Sequence, residues 1–233
     1  MTTPAAQLDF NQFQCLTFDC YGTLIDWETG LLAALQAVFS PLNPANGELL
    51  TAYSELEPSE QGKEYCKYRE VLGEVMRGLS QRYGFPITAE QEASLAESIP
   101  GWQPFPDTVD ALRRLKTKYK LAVISNIDDD LFAHTAKHLE MPFDYVITAQ
   151  QAGSYKPSLN NFHTALQRIG LPKSSILHVA ESLYHDIVPT RQLGIANVWV
   201  NRRGDKATGA TRTADITPDL TVTSVGQLAD IMV

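Results

Sequence analysis

The sequence predicts an α/β protein: a doubly wound, mostly parallel, Rossmann-like sheet with a helical domain inserted after its first strand. Short apolar runs alternate with longer stretches of helical periodicity, the pattern of a parallel sheet covered by helices. One long stretch, from about residue 31 to 100, carries helical patterns and no convincing strand. The conspicuous polar residues all fall just after the carboxyl ends of the expected strands, which is the ligand-binding edge of an open parallel sheet.

The elements follow in order. Cys15-Leu16-Thr17-Phe18 reads as the first strand and ends at Asp19. Leu31 to Pro100 reads as several helices, the clearest from about Ser59 to Tyr83. Trp27-Glu28-Thr29-Gly30 bounds it on one side, and the proline- and glycine-rich segment from Pro100 to Pro106 on the other. This gives a core of residues 1–28 and 101–233 and a cap of residues 29–100. A helical pattern from Asp107 to Lys118 precedes Leu121-Ala122-Val123-Ile124, which ends at Ser125-Asn126. Tyr145-Val146-Ile147 leads into a loop holding Lys156, followed by a helical pattern from Leu159 to Ile169. The run from Ser175 to Ala180 ends at Glu181. Ile195 to Val200 ends at Asn201 and the pair Arg202-Arg203. The polar stretch from Gly204 to Thr213 reads as a surface loop.

The chain has 233 residues, 44% of them hydrophobic, enough for a full-sized core. Its net charge of −8 opposes non-specific binding to nucleic acid or an anionic membrane, both of which need a cationic surface. An anionic substrate would need a local cluster of cations. Cys15, Cys20 and Cys66 have no metal-ligand spacing and make no disulfide framework. No apolar stretch approaches the roughly 20 residues of a membrane span. No basic-flanked apolar leader is recognisable, so a cytoplasmic location is expected.

Asp19-Cys20-Tyr21-Gly22-Thr23-Leu24 is the strongest chemical signal. An aspartate at a strand end before a glycine turn presents a carboxylate to a cleft, where it can serve as a nucleophile. Taken alone, the same residues would be a helix cap and a turn. The full hexapeptide, however, resembles the first motif of the haloacid dehalogenase superfamily. Ser125-Asn126 is similar to the second motif, Lys156 in Tyr155-Lys156-Pro157 to the third, and Glu181-Ser182-Leu183-Tyr184-His185-Asp186 to the acidic fourth. Order and spacing agree as well. The resemblance implies a helical cap over the carboxyl edge of the sheet and Asp19 as nucleophile. Lys156 would offset its charge, and Ser125 and Asn126 would bind around it.

Phosphatases of that superfamily carry a second aspartate two residues after the nucleophile, as general acid to the leaving alcohol. Here Tyr21 stands in that place, and a phenol with an ordinary pKa of about 10 is a poor acid near neutral pH. Asp-x-Tyr-Gly-Thr-Leu resembles the 2-haloacid dehalogenases, whose leaving halide needs no proton. The resemblance implies an ester on Asp19, hydrolysed to a 2-hydroxy acid with help from Asp186. Tyr21 and Thr23 would line the site of a small anionic substrate, with no cofactor required; a homodimer is left open.

The chain departs from those enzymes in three places. It has no arginine between Asp19 and Arg69, so the anion is expected at Arg69 with Lys63 or Lys67. Phe162 replaces a tyrosine six residues after the lysine. The loop from Glu181 to Asp186 has the length found in Mg²⁺-dependent phosphatases. If Mg²⁺ binds, Asp19, the Tyr21 carbonyl and Glu181 would hold it, and a phosphatase is the alternative activity. Trp27, Tyr53, Tyr65, Tyr68 and Trp102 are candidates for cleft walls or for packing between cap and core. His134, His138 and His163 read as surface or core residues, whereas His185 lies beside Asp186.

Overall fold

Cys15–Phe18 (β1) is buried at every position, as a strand covered on both faces must be. It is the centre of the molecule, a computed structural model that describes residues 8–204 and 214–233. The chain leaves β1 through Gly22, whose φ of 98° glycine adopts without steric cost. A Cβ there would also stand 3.0 Å from the Trp27 indole nitrogen.

Four helices come next: α1 (Trp27–Phe39), α2 (Asn46–Gln61), α3 (Tyr68–Tyr83) and α4 (Ala89–Ser98). Asp26 caps α1, and a reciprocal Thr88–Gln91 capping box starts α4, each satisfying N–H groups that the helix leaves without partners. The single helix expected from Ser59 to Tyr83 is in fact two. Pro58, in the last turn of α2, has no N–H to give, and Gly62 caps that helix. α3 restarts where the Asp128 carboxylate, 60 residues on, accepts the N–H groups of Tyr68 and Arg69 at 3.0 Å each. Periodicity cannot reveal a cap that arrives from another part of the fold.

The rest of the chain alternates as expected. It contains α5 (Thr108–Lys116), β2 (Lys120–Ser125), α6 (Asp129–Leu139), β3 (Tyr145–Thr148), α7 (Ala149–Ala152) and α8 (Leu159–Ile169). Then come β4 (Ile176–Ala180), a π-helical turn (Leu183–Ile187), α9 (Val188–Leu193), β5 (Ala196–Val200), β6 (Leu220–Val222) and α10 (Val225–Met232). The strands form one parallel sheet in the order β3-β2-β1-β4-β5-β6. β6, with three residues, is too short to leave an alternation in the sequence. The surface loop expected from Gly204 to Thr213 lies, beyond Gly204, outside the described residues.

Strand side chains alternate between two apolar clusters, as the period of two requires. Leu16, Phe18, Val123 and Val179 join Leu112 of α5 and Leu228 of α10, and that cluster runs unbroken into the helical insertion. Cys15, Ala122, Ile124 and Ile176 face Phe162 and Ile169 of α8. No helix among the described residues is long and apolar enough to cross a membrane.

Candidate active site

β1 lies between β2 and β4, and strand order reverses around it. Phe18 pairs with Val123 on one side and Val179 on the other, so Asp19 leaves the sheet level with Ile124 and Ala180. A crevice opens outside the carboxyl ends of strands at such a reversal.

Asp19 is held at both carboxylate oxygens. Oδ1 accepts the Lys156 ammonium at 2.8 Å, and Oδ2 accepts the Thr23 hydroxyl at 2.7 Å. Thr23 Oγ1 in turn accepts the Glu181 N–H at 2.8 Å. Lys156 is 2% exposed, and its three protons have three acceptors: Asp19 Oδ1, the Ile124 carbonyl at 2.9 Å and Asp186 Oδ1 at 2.7 Å. A buried ammonium matched in this way has no donor left over. Asn126 braces the same loop, donating to the Lys156 carbonyl at 3.1 Å and accepting the Lys156 N–H at 2.7 Å. Its amide is therefore engaged with the backbone that carries Lys156. Ser125 Oγ is buried, has no partner among the described residues and lies on the cleft.

One participant escaped the sequence reading. His178, fully buried in β4, contacts Thr17 Oγ1 through Nδ1 at 2.8 Å and Asp186 Oδ1 through Nε2 at 3.0 Å. A carboxylate only accepts, so Nε2 carries the proton on that side. Phe162 sets its ring edge-on to the imidazole at 5.4 Å. The available signal was a lone polar residue in an otherwise apolar strand. Arg202 was also unforeseen: it stacks on Phe105 at 3.8 Å and donates to the Thr23 carbonyl at 2.9 and 2.7 Å, holding the first motif from behind.

The charges are unevenly balanced, because one ammonium serves two buried carboxylates. Burial is the largest influence on both. On Asp19, burial together with the Asp186 charge outweighs Lys156 and Thr23 and holds the carboxyl above its ordinary range. On Asp186, Lys156 and the His178 hydrogen bond prevail over burial and keep it below that range. Burial likewise lifts Glu181 to about 7, against the pull of Arg203.

The cleft, its mouth included, holds about 690 Å³. Asp19, Ser125, Lys156 and Asp186 line it, with Tyr21 and Trp102 on one side, where their rings meet edge-on at 5.9 Å. The Tyr21 hydroxyl is engaged with Thr135 Oγ1 at 2.7 Å, and burial pushes its pKa well above the ordinary phenol value. Trp27, Tyr53 and Tyr68 also line the cleft, as does Glu57 of α2, which no sequence motif singles out.

The expected anion site is not found at Arg69. Its guanidinium pairs with Asp130 at 2.7 Å on the surface and lies outside the cleft lining, because Asp128 draws the start of α3 onto the core and the side chain follows the helix outward. Lys63 pairs with Glu60 at 2.5 Å, and Lys63 and Lys67 are both exposed. Tyr65 packs on Tyr155 at 5.3 Å and is not part of the lining. His134 and His163 are exposed, His138 is bonded to the Pro100 carbonyl, and His185 lines the cleft beside Ser182.

Two of the residues set aside for Mg²⁺ are engaged by the protein's own donors and cations. Both Asp19 oxygens already accept protein donors, and Glu181 lies 3.8 Å from the Arg203 guanidinium. Among the described residues no group of three or more His, Cys, Asp or Glu is placed to hold a metal ion.

The family model for haloacid dehalogenase-like hydrolases matches residues 13–194. The chain belongs to that family. This haloacid dehalogenase-like hydrolase is 25% identical over 225 residues to the (S)-2-haloacid dehalogenase of Pseudomonas sp. (strain YL), covering 93% of each chain. It is 27% identical over 230 residues to the (S)-2-haloacid dehalogenase of Pseudomonas putida, covering 94% of this chain and 96% of the other. Among solved structures, the L-2-haloacid dehalogenase from Xanthobacter autotrophicus with chloropropionic acid covalently bound superposes with a TM-score of 0.79 at 19% identity, over 94% of this chain and 98% of that one.

Proposed function

We propose that this hydrolase removes halide from a small 2-haloacid through an ester on Asp19, the insertion of residues 29–100 acting as a cap over a core of residues 1–28 and 101–233. The single observation that carries the reading is Tyr21. The position two residues after Asp19 holds a hydroxyl engaged with Thr135 and unsuited to donating a proton, so the chemistry best served is one whose leaving group needs none. The names of the relatives agree with it.

In the first step an Asp19 oxygen bonds to the carbon next to the substrate carboxylate, and halide departs with the electron pair of the broken bond. Lys156 and Thr23 keep the Asp19 carboxylate oriented for this attack. Ser125 Oγ donates to the substrate carboxylate. In the second step water adds to the Asp19 carboxyl carbon, and the carbon–oxygen bond on the aspartate side breaks. Asp186 Oδ2, buried with no protein partner among the described residues, takes the water proton and returns it to the departing oxygen. The 2-hydroxy acid leaves with an oxygen that came from Asp19.

The test is halide release from 2-chloropropionate in the presence of EDTA, followed by a single turnover in ¹⁸O-labelled water. Halide should appear, and the first 2-hydroxy acid formed should carry unlabelled oxygen at its new hydroxyl. Phosphate release that requires Mg²⁺, with no halide release, would overturn the reading.

A further inference from the structure

Resting on that reading of the reaction, we infer that the side chain of the 2-haloacid ends in an aromatic ring, received among the rings that line the cleft. Five rings reach this space from five separate parts of the chain: Tyr21 after β1, Trp27 of α1, Tyr53 of α2, Tyr68 of α3 and Trp102 in the return to the core. They meet one another in the geometries that aromatic pairs prefer, Tyr21 edge-on to Trp102 at 5.9 Å and Trp27 tilted against Tyr53 at 5.7 Å.

The polar ends of four of these rings are taken by the protein itself. The Tyr21 hydroxyl pairs with Thr135 at 2.7 Å, the Trp102 indole N–H donates to Ser98 Oγ at 3.1 Å, and the Tyr53 and Tyr68 hydroxyls bond each other at 3.0 Å. Tyr68 also donates at 3.2 Å to Glu57 Oε1, which accepts the Gln61 amide as well. What these rings turn to a ligand is therefore carbon, as faces and edges. Tyr21, Trp27 and Tyr68 are only half-buried, so an apolar group that covers them releases water from apolar surface.

Tight contact fixes both indoles. A Cβ on residue 30 would stand 2.3 Å from Trp102 Cδ1, so α1 admits that indole only because Gly30 has no side chain, and one on Gly22 would stand 3.0 Å from Trp27 Nε1. Walls held in this way cost little further ordering when a ligand enters. An alkyl group would gain from them by area alone. An aromatic group gains in addition by setting its edge on a face or its face on an edge. Ser125 Oγ, on the same cleft as Asp19, receives the carboxylate as in the reaction above. The class is a 2-haloacid with an aryl group at the end of a short chain.

3-Phenyllactate, 3-cyclohexyllactate and lactate are 2-hydroxy acids, the class of the product, and differ only at the far end. Calorimetric titration of the intact protein with each therefore tests the ring site without any turnover. 3-Phenyllactate should bind at least roughly ten-fold tighter than lactate and roughly three-fold tighter than 3-cyclohexyllactate. Trp27→Leu and Tyr68→Leu, each shown to be folded by a cooperative melting transition, should shrink both ratios; if a variant does not fold, the wild-type ratios decide. Equal affinities, a preference for the cyclohexyl acid, no binding of any of the three, or ratios untouched in both folded variants would overturn the inference. In parallel, 2-chloro-3-phenylpropionate should exceed 2-chloropropionate in kcat/KM for halide release by at least roughly ten-fold. Equal turnover of both acids would remove the ring site and leave dehalogenation standing. The phenyl preference in binding, without halide release from either acid, would support the site and reject dehalogenation.

Discussion

His178 and Lys156 donate to one and the same carboxylate oxygen, Oδ1 of Asp186, at 3.0 and 2.7 Å. The other oxygen, Oδ2, is thereby left buried without a protein partner among the described residues, in a carboxylate oriented by a residue from the middle of a strand. His178→Leu would strand two buried groups, the Thr17 hydroxyl and part of Asp186, at a cost of about 1–3 kcal/mol, measurable by urea unfolding. The Asp186 carboxyl would also lose one of the influences that keep it below its ordinary range. The acid limb of the activity profile should therefore move to higher pH. A destabilised variant with an unmoved acid limb would give His178 a purely structural role.

Asp19→Asn should abolish halide release and raise the melting temperature. A carboxyl whose folded pKa lies above its unfolded value stabilises the fold only where it is protonated, and Asp19 is such a group. Its charge therefore costs stability at neutral pH, beside Asp186 and with a single ammonium between them. The amide keeps the shape and removes the charge. Retention of more than roughly a tenth of the activity would exclude Asp19 as nucleophile; a lowered melting temperature would contradict the charge argument.

Glu181 sets a pH dependence of stability. Its carboxyl is raised from 4.5 to about 7, so the folded protein binds more protons than the unfolded chain across that interval. The contribution is full below the unfolded pKa and is lost as pH rises through about 7, with an upper size of about 3 kcal/mol. Glu181→Gln should flatten the melting temperature against pH over this window. An unchanged slope would show that Glu181 ionises as an ordinary carboxyl.

The sheet and the four motifs were legible because their determinants are local: an apolar run, a glycine turn, a carboxylate at a strand end. Asp19, Thr23, Lys156 and Asp186 meet at hydrogen-bond distance because each follows such a run. Arg69 could not be placed the same way, since its direction is decided by Asp128 on a distant loop. His178 was hidden by the apolar company that buries it. Glu57 looked like any polar residue on a solvated helix face, and only packing of α2 beside the carboxyl edge makes it part of a cleft.

Asp128 joins the insertion to the core, and its removal should be felt in both. The carboxylate is fully buried and accepts two N–H groups at the start of α3. Asp128→Ala should cost about 0.5–2 kcal/mol, as loss of a helix cap does, read from urea unfolding. KM should rise more than kcat falls, because Tyr68 lines the cleft while the groups around Asp19 are untouched. An unaltered KM would mean that α3 holds its place without the cap.

The hold of Arg202 on the Thr23 carbonyl spans 179 residues of sequence. Chains are synthesised from the amino end, so Asp19 leaves the ribosome well before Arg202. Its strand must then wait for β2 and β4 to flank it, and its loop must wait for Arg202. The Asp19 carboxylate is therefore fixed in place only once residue 202 has been made, and a chain that stops short of it carries the motif without its supports.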